Sequence, residues 1–452
     1  MTSNISRGSM SMVKLTVPLA MEQFFRILVS SVDTFMLSTY SDKAVAGVGL
    51  VAQYVFFLQI LFNVVCIGSS IVLAQYLGAK KTDQELNYIA QASTVMITVL
   101  ALILTALVIF GIGPLVGCYN LEPEVEKSAV DYFMIYGGFC SVFTAFSLLQ
   151  SSILRSYGHT KDAMIVTIIA NIINVCGNAV ALGFLGFTLP EPFSGVKGVA
   201  WASGLSMIVS AFILQIMIAR KKDVQFNLKG IKKVPSRVYH VILSIGVPTG
   251  GENLSYNVAN IAQTAMFSTL GTNVMSAHVY TQTIIRFAYA LSIAIGAATQ
   301  IKTGYFVGEH RSEEAYRKLY RYWIFATISS ISLVGICNLF KTPIISLFTP
   351  VDGPIFPIVA SLMIVSFYIE TGRCMNLIFI GGLKGSGDIK FPVGYGIFSM
   401  WTIIVGLGWF LGLYMGMGII GFWIAVGTEE TTRGIVMLLR WRSKKWMKKA
   451  IV

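Results

Sequence analysis

The sequence predicts an all-α membrane protein, with twelve transmembrane helices in two pseudo-symmetric six-helix lobes. Three observations predict it. The chain is 55% hydrophobic and only 12% charged, about half the charged share of a soluble domain. Uncharged runs extend from Met96 to Leu115 and from Phe391 to Thr428, and about 20 apolar residues suffice to span the hydrocarbon core as a helix. The runs lack the apolar–polar alternation that β-barrel spans require. Finally, basic residues gather in every second loop, and a set of landmarks recurs in the two halves of the chain.

Spans are expected near 13–40, 44–77, 88–113, 128–155, 162–187 and 196–219, then near 238–270, 274–303, 318–340, 355–382, 391–414 and 417–439. The first is preceded by a polar start with Arg7, is interrupted by Glu22 and Arg26, and has no small-residue cleavage site after it. It therefore reads as an uncleaved helix. One set of loops is basic: Lys80 and Lys81, Arg155 and Lys161, the 220–237 connection, Arg311 to Lys318, Lys384 and Lys390, and the tail from Arg440 to Lys449. The alternate set is poor in Lys and Arg. The positive-inside rule places the basic set, and with it both termini, in the cytoplasm. The net charge of +13 is accounted for by topology and anionic-lipid contact, and no nucleic-acid partner is expected. The six cysteines are scattered through apolar runs, which indicates neither a disulfide framework nor a zinc site.

The internal repeat has an offset of about 230 residues. Val17-Pro18 followed by Glu22 returns as Val247-Pro248 followed by Glu252. The segment 33–39 returns as 263–269, with Asp33 replaced by Gln263. Gln53 returns as Gln282 and Gly78 as Gly308. Leu154-Arg155-x-x-Gly158-x-x-Lys161 returns as Leu383-Lys384-x-x-Gly387-x-x-Lys390. The domains are then an N-terminal lobe (1–220), a basic cytoplasmic linker (221–237) and a C-terminal lobe with a basic tail (238–452). Six spans per half give both halves one orientation, as in transporters that move substrate by rocking between parallel repeats.

Ionisable groups inside spans are costly, roughly 2.5–3.5 kcal/mol each on insertion scales, and default to functional candidates. Glu22 and Arg26 are i,i+4, as are Glu429 and Arg433, while Glu370 and Arg373 are i,i+3. With Glu430, these are candidates either for structural ion pairs or for the transport path. Asp33 and Glu252 have no basic residue one helical turn away. A carboxylate isolated in apolar surroundings exchanges a proton, or ligates Na⁺ with neighbouring oxygens. For Glu252 the bland alternative is a pair with Arg286 or Arg373 on other helices. Asn171, Asn174 and Asn178 lie in the fifth span, and the latter two share a face. Amides also serve as glue between membrane helices. Ser203 in the sixth span carries little signal by itself. Pro18 and Pro248 each remove a backbone hydrogen bond and are candidate helix-bending positions.

These residues together resemble the multidrug and toxic compound extrusion (MATE) family. The carrying motifs are Val17-Pro18 with Val32-Asp33-Thr34, Gln75-x-x-Gly78, Leu154-Arg155-x-x-Gly158, the Asn174/Asn178 pair, and Gly195-Val196-x-Gly198-x-Ala200-x-Ala202-Ser203. The resemblance spans nearly the whole chain. It implies a V-shaped pair of lobes and antiport, with Na⁺ or H⁺ entering as an amphipathic organic compound, often cationic, leaves. It implies that Asp33 is the coupling acid, with Asn174, Asn178 and Ser203 around it as a possible Na⁺ site. Relatives carry an Asp where Asn178 stands here, which leaves this site one negative charge. The second-lobe carboxylate sites of some relatives match imperfectly: Glu252 lies about one turn early, and Glu370 is followed by Arg373. Expected partners are small organic molecules and the bilayer of the plasma membrane. A monomer without a cofactor is expected. The rival reading is a flippase for lipid-linked saccharides, whose grooves tend to be strongly cationic. An enzyme is disfavoured, because there is no His-Glu-x-x-His motif and the four histidines are dispersed.

Overall fold

The computed structural model describes residue 8 and residues 10–119, 121–187 and 189–452. The polar start around Arg7 lies outside the described residues. The described chain is helical, with no strand among the described residues. We number its long helical spans α1 (Met12–Tyr40), α2 (Asp42–Gly78), α3 (Asp83–Gly117), α4 (Pro123–Phe139 and Ser141–Ser156), α5 (Thr160–Ala181) and α6 (Gly195–Arg220). The second six are α7 (Ser236–Ser268), α8 (Thr272–Gly308), α9 (Ser312–Leu339), α10 (Ile355–Gly385), α11 (Lys390–Tyr414) and α12 (Gly418–Arg442).

Twelve spans match the sequence expectation, and most ends agree within a few residues. The ninth begins at Ser312 rather than near 318, and the fifth ends early by as much. The fifth stops at Ala181 rather than near 187, because Gly183 and Gly186 take positive φ values of 78° and 80°, a conformation that ends a helix and that glycine adopts at little cost. The fourth span bends by 49° between Phe139 and Ser141, after a π-helical stretch over Phe133–Phe139 that breaks the regular hydrogen-bond ladder. Among the described residues, nine helices are long and apolar enough to cross a membrane, or ten with the bent α4. The remaining two, α7 and α12, fall short because they carry polar groups: Glu252, three asparagines and Gln263 on α7, and Glu429, Glu430 and Arg433 on α12. Pro18 and Pro248 sit inside α1 and α7, and neither ends its helix.

The chain divides into two compact units. Of the described residues, the first holds Met21–Leu73 and Lys81–Gly250, and the second holds those up to Ala20, Ala74–Lys80 and Gly251–Val452. Each unit is built on close helix seams. In the first, α5 meets α6 where Gly177 faces Ala202 and Gly198 faces Ala181. A Cβ on Gly177 would stand 2.6 Å from that of Ala202. Small residues let membrane helices approach closely, which explains the Gly/Ala pattern of 195–204. In the second unit α10 packs along α12, with Gly372 against Thr431 and Gly434 against Asn376.

Candidate functional site

The first unit brings the sequence-predicted cluster together. Asp33, half-buried on α1, accepts a hydrogen bond from Nδ2 of Asn178 on α5 (2.8 Å). The Asn174 amide has two hydrogen-bonding arrangements. In one, its Nδ2 donates to Ser203 Oγ (2.9 Å) and its oxygen faces the Asp33 carboxylate. In the other, its nitrogen donates to Asp33 Oδ1 (2.9 Å) and Oδ2 (3.1 Å), and its oxygen accepts from Ser203 Oγ (2.9 Å). The first suits a carboxylate that carries a proton or a cation, and the second suits a bare carboxylate. Asn174, Asn178 and Ser203 are buried, and Oδ1 of Asn178 finds no partner among the described residues. The Gly177–Ala202 seam sets this geometry by bringing Ser203 within reach of Asn174.

A cavity of about 440 Å³ opens beside the cluster. Asp33, Arg26, Asn171, Ser203, Tyr132 and Tyr136 are among its lining residues. A single carboxylate thus touches both the amide cluster and a space large enough for a small organic molecule. Arg26 and Asp33, of opposite charge, both border that space.

The acid that starts each half is clamped. Glu22, buried on α1, accepts from Arg26 (3.0 Å) and from Arg155 at the end of α4 (2.5 Å). Glu252, buried on α7, accepts from Lys384 at the end of α10 (2.7 Å) and from Arg433 on α12. The expected partners of Glu252 are therefore corrected. Arg286 is exposed on α8, and Arg373 is committed elsewhere. Arg373 binds both Glu370 (2.5 Å) and Glu430 (3.0 Å), and its guanidinium lies over the ring of Tyr289 (4.2 Å). The i,i+4 pair of Glu429 and Arg433 forms, at 3.6 Å. Sequence reasoning missed Lys384, Asn376 and Ser399 as members of this network. The repeat held the signal for one of them, because Glu22–Arg155 maps directly onto Glu252–Lys384.

Fold and site together define a class: a polytopic helical membrane transporter with an isolated intramembrane acid beside a cavity. One family model, MatE, matches the chain twice, over residues 18–180 and 248–410, and the chain belongs to the MATE transporter family. The double match has the offset of the internal repeat. The chain is 32% identical to the uncharacterized transporter YisQ of Bacillus subtilis, over 98% of this chain and 96% of that one. It is 28% identical to the probable multidrug resistance protein NorM of Thermotoga maritima, over 98% and 94%. Among solved structures, an outward-facing multidrug resistance MATE family transporter of the MOP superfamily has the same fold (TM-score 0.86, 21% identity, 97% of this chain and 96% of that chain). So does a MOP superfamily transporter from Pyrococcus furiosus, described as having a binding pocket of reverse polarity that suggests a different function (TM-score 0.85, 21% identity, 97% and 96%).

Proposed function

We propose that this chain exports amphipathic, cationic organic compounds from the cell in exchange for Na⁺ or H⁺, by alternating access. The observation that carries this reading is the double position of Asp33, which lines the cavity and anchors the amide cluster. A cation bound at Asp33 removes the negative charge that a cationic substrate in the cavity would feel. Each ligand therefore weakens the other's binding, and that negative coupling is reciprocal. Relatives named for multidrug resistance support organic compounds as the cargo. Arg26 and Asp33 carry opposite charges in the cavity wall, which speaks against a cationic groove for lipid-linked pyrophosphates. Na⁺ is favoured over H⁺ at Asp33, because the unpartnered Asn178 Oδ1, the Asn174 oxygen and Ser203 Oγ supply neutral donors suited to a hard cation.

The test is uptake of a cationic dye such as ethidium into inverted membrane vesicles, under separately imposed Na⁺ and H⁺ gradients. Dye accumulation driven by the Na⁺ gradient is expected. Accumulation indifferent to both gradients would overturn the exchange reading. The alternating basic loops support a multi-pass plasma-membrane protein with both termini cytoplasmic. In a cysteine-free background, Ser194→Cys should label from outside in intact cells and Lys229→Cys should not. Labelling of both would reject this topology.

A further inference from the structure

The second unit buries a connected cluster of ionisable side chains: the acids Glu252, Glu370, Glu429 and Glu430, and the bases Arg373, Lys384 and Arg433. Every one is at most 7% exposed. Their bonds sort into two groups. Lys384 and Arg433 both serve Glu252, while Glu370 and Glu430 share Arg373. Two bases on one acid and one base on two acids cancel. Glu429 is left over. Its oxygen takes the Ser399 hydroxyl (2.7 Å) and stands 3.6 Å from Arg433, a guanidinium already committed to Glu252. With every acid ionised the cluster carries one excess negative charge, buried at Glu429. An uncompensated charge in such a place costs several kcal/mol, and a bound cation or proton removes that cost.

We propose that Glu429 is a proton-binding site, a second coupling site distinct from Asp33. The titratable and charged groups of its cluster are Glu430 and Arg433 on the same helix, Glu252 and Tyr256 on α7, Tyr289 on α8 beneath Arg373, and Glu370, Arg373 and Lys384 on α10, with the Ser399 hydroxyl on α11. A second observation points to an occupant. Asn376 turns its amide into the cluster and donates to Glu430 Oε2 (2.7 Å), while its Oδ1 and the Nε of Arg433 stay buried without partners among the described residues. Those idle polar atoms lie in the same hydrogen-bonded network as Glu429 and leave it hydrogen-bonding capacity for a changed charge there. The occupant is a proton rather than Na⁺, because the nearest groups are a guanidinium, which repels a metal ion, and a single hydroxyl, too few oxygens for a hard cation. The site is not inherited from the repeat. Gly418-x-x-Gly421 aligns with Gly195-x-x-Gly198, so Glu429, Glu430 and Arg433 stand where α6 has Ser206, Met207 and Ser210.

The protonation itself is measured without transport, so its failure is distinguishable from failure of the exchange reading. Full-length protein in lipid nanodiscs is titrated by infrared difference spectroscopy of protonated carboxyl groups. A protonated-carboxyl band that persists in Asp33→Asn should be lost in Glu429→Gln. It should also be lost in Glu430→Gln, where three acids meet three bases, which keeps the test sound if Glu429→Gln does not fold. A band unchanged in both variants would overturn the proposal. So would a band that disappears when Na⁺ replaces choline in the buffer, because that marks a metal site. In vesicles, Glu429→Gln should lose the H⁺-driven part of dye uptake and keep the Na⁺-driven part that depends on Asp33.

Discussion

The two units share a repeat, yet they place their buried charge in different seams. Both keep the first-helix acid clamped to the base that ends the fourth helix of the half, Glu22 to Arg155 and Glu252 to Lys384. Beyond the clamp they diverge. In the first unit the polar cluster lies between α1, α5 and α6, around Asp33. Its counterpart in the second unit is Gln263, whose amide donates to the carbonyls of Ile404 (3.3 Å) and Phe422 (3.4 Å), and the positions matching Asn174 and Asn178 are Ile403 and Leu407. The α10–α12 seam reverses the pattern. It holds the charge cluster, whereas the α4–α6 seam joins neutral groups, Ser147 to Ser210 (2.7 Å) and Gln150 to Gln215 (2.8 Å). What a duplicated chain keeps in both copies is what each copy needs in order to pack. What differs marks the separate tasks of the copies.

That contrast can be broken experimentally. The largest effect is expected from Asp33→Asn. It should abolish dye uptake driven by a Na⁺ gradient while leaving thermal unfolding nearly unchanged, since an amide fits among amides. Coupled uptake at the wild-type rate would remove Asp33 from the mechanism. The clamps should behave in the opposite way. Glu252→Ala leaves the buried Lys384 without its carboxylate and Arg433 with only the longer contact to Glu429 (3.6 Å), and should cost about 3–5 kcal/mol, as truncating one partner of a buried ion pair does. Glu22→Ala should cost less, because the Arg26 side chain is exposed rather than buried. Thermal unfolding in detergent compares the two, and an equal loss would mean that the clamps carry equal loads. Gly177→Val forces α5 away from α6 and should cost about 1–3 kcal/mol, as overpacking does. It should also weaken Na⁺ activation, because Ser203 then no longer meets Asn174. Unaltered Na⁺ activation in a folded Gly177→Val protein would show that Ser203 is dispensable. The smallest effect is expected from Asn178→Ala, a loss of Na⁺ affinity on the order of tenfold with little change in pH response. Unchanged Na⁺ activation there, beside its loss in Asp33→Asn, would favour simple protonation of Asp33.

Much of the molecule was legible in the residues. Long uncharged runs marked spans because a membrane core leaves the backbone little choice but a helix. The spans that strayed from a simple hydropathy reading did so because of their polar residues: the buried charge cluster on α12, and Glu252 with three asparagines and Gln263 on α7. Asn174 and Asn178 were legible as a shared face, since i,i+4 spacing is a property of one helix. Asp33 was legible because it lacks a basic neighbour within one turn.

Partnerships across helices were another matter. Glu252 pairs with Lys384 and Arg433 rather than with Arg286 or Arg373, and Arg373 joins Glu370 to Glu430. Local spacing encodes the Glu370–Arg373 contact alone; the bonds of Glu252 to Lys384 and Arg433 and of Arg373 to Glu430 run between different helices, 57 to 181 residues apart in the chain. The sequence by itself determined the twelve helices, the repeat, the acids inside the membrane and the faces they occupy, all consequences of helical periodicity and the cost of burying charge. Only the tertiary structure decided which base neutralises which acid across helices, because that depends on how closely particular helices pack.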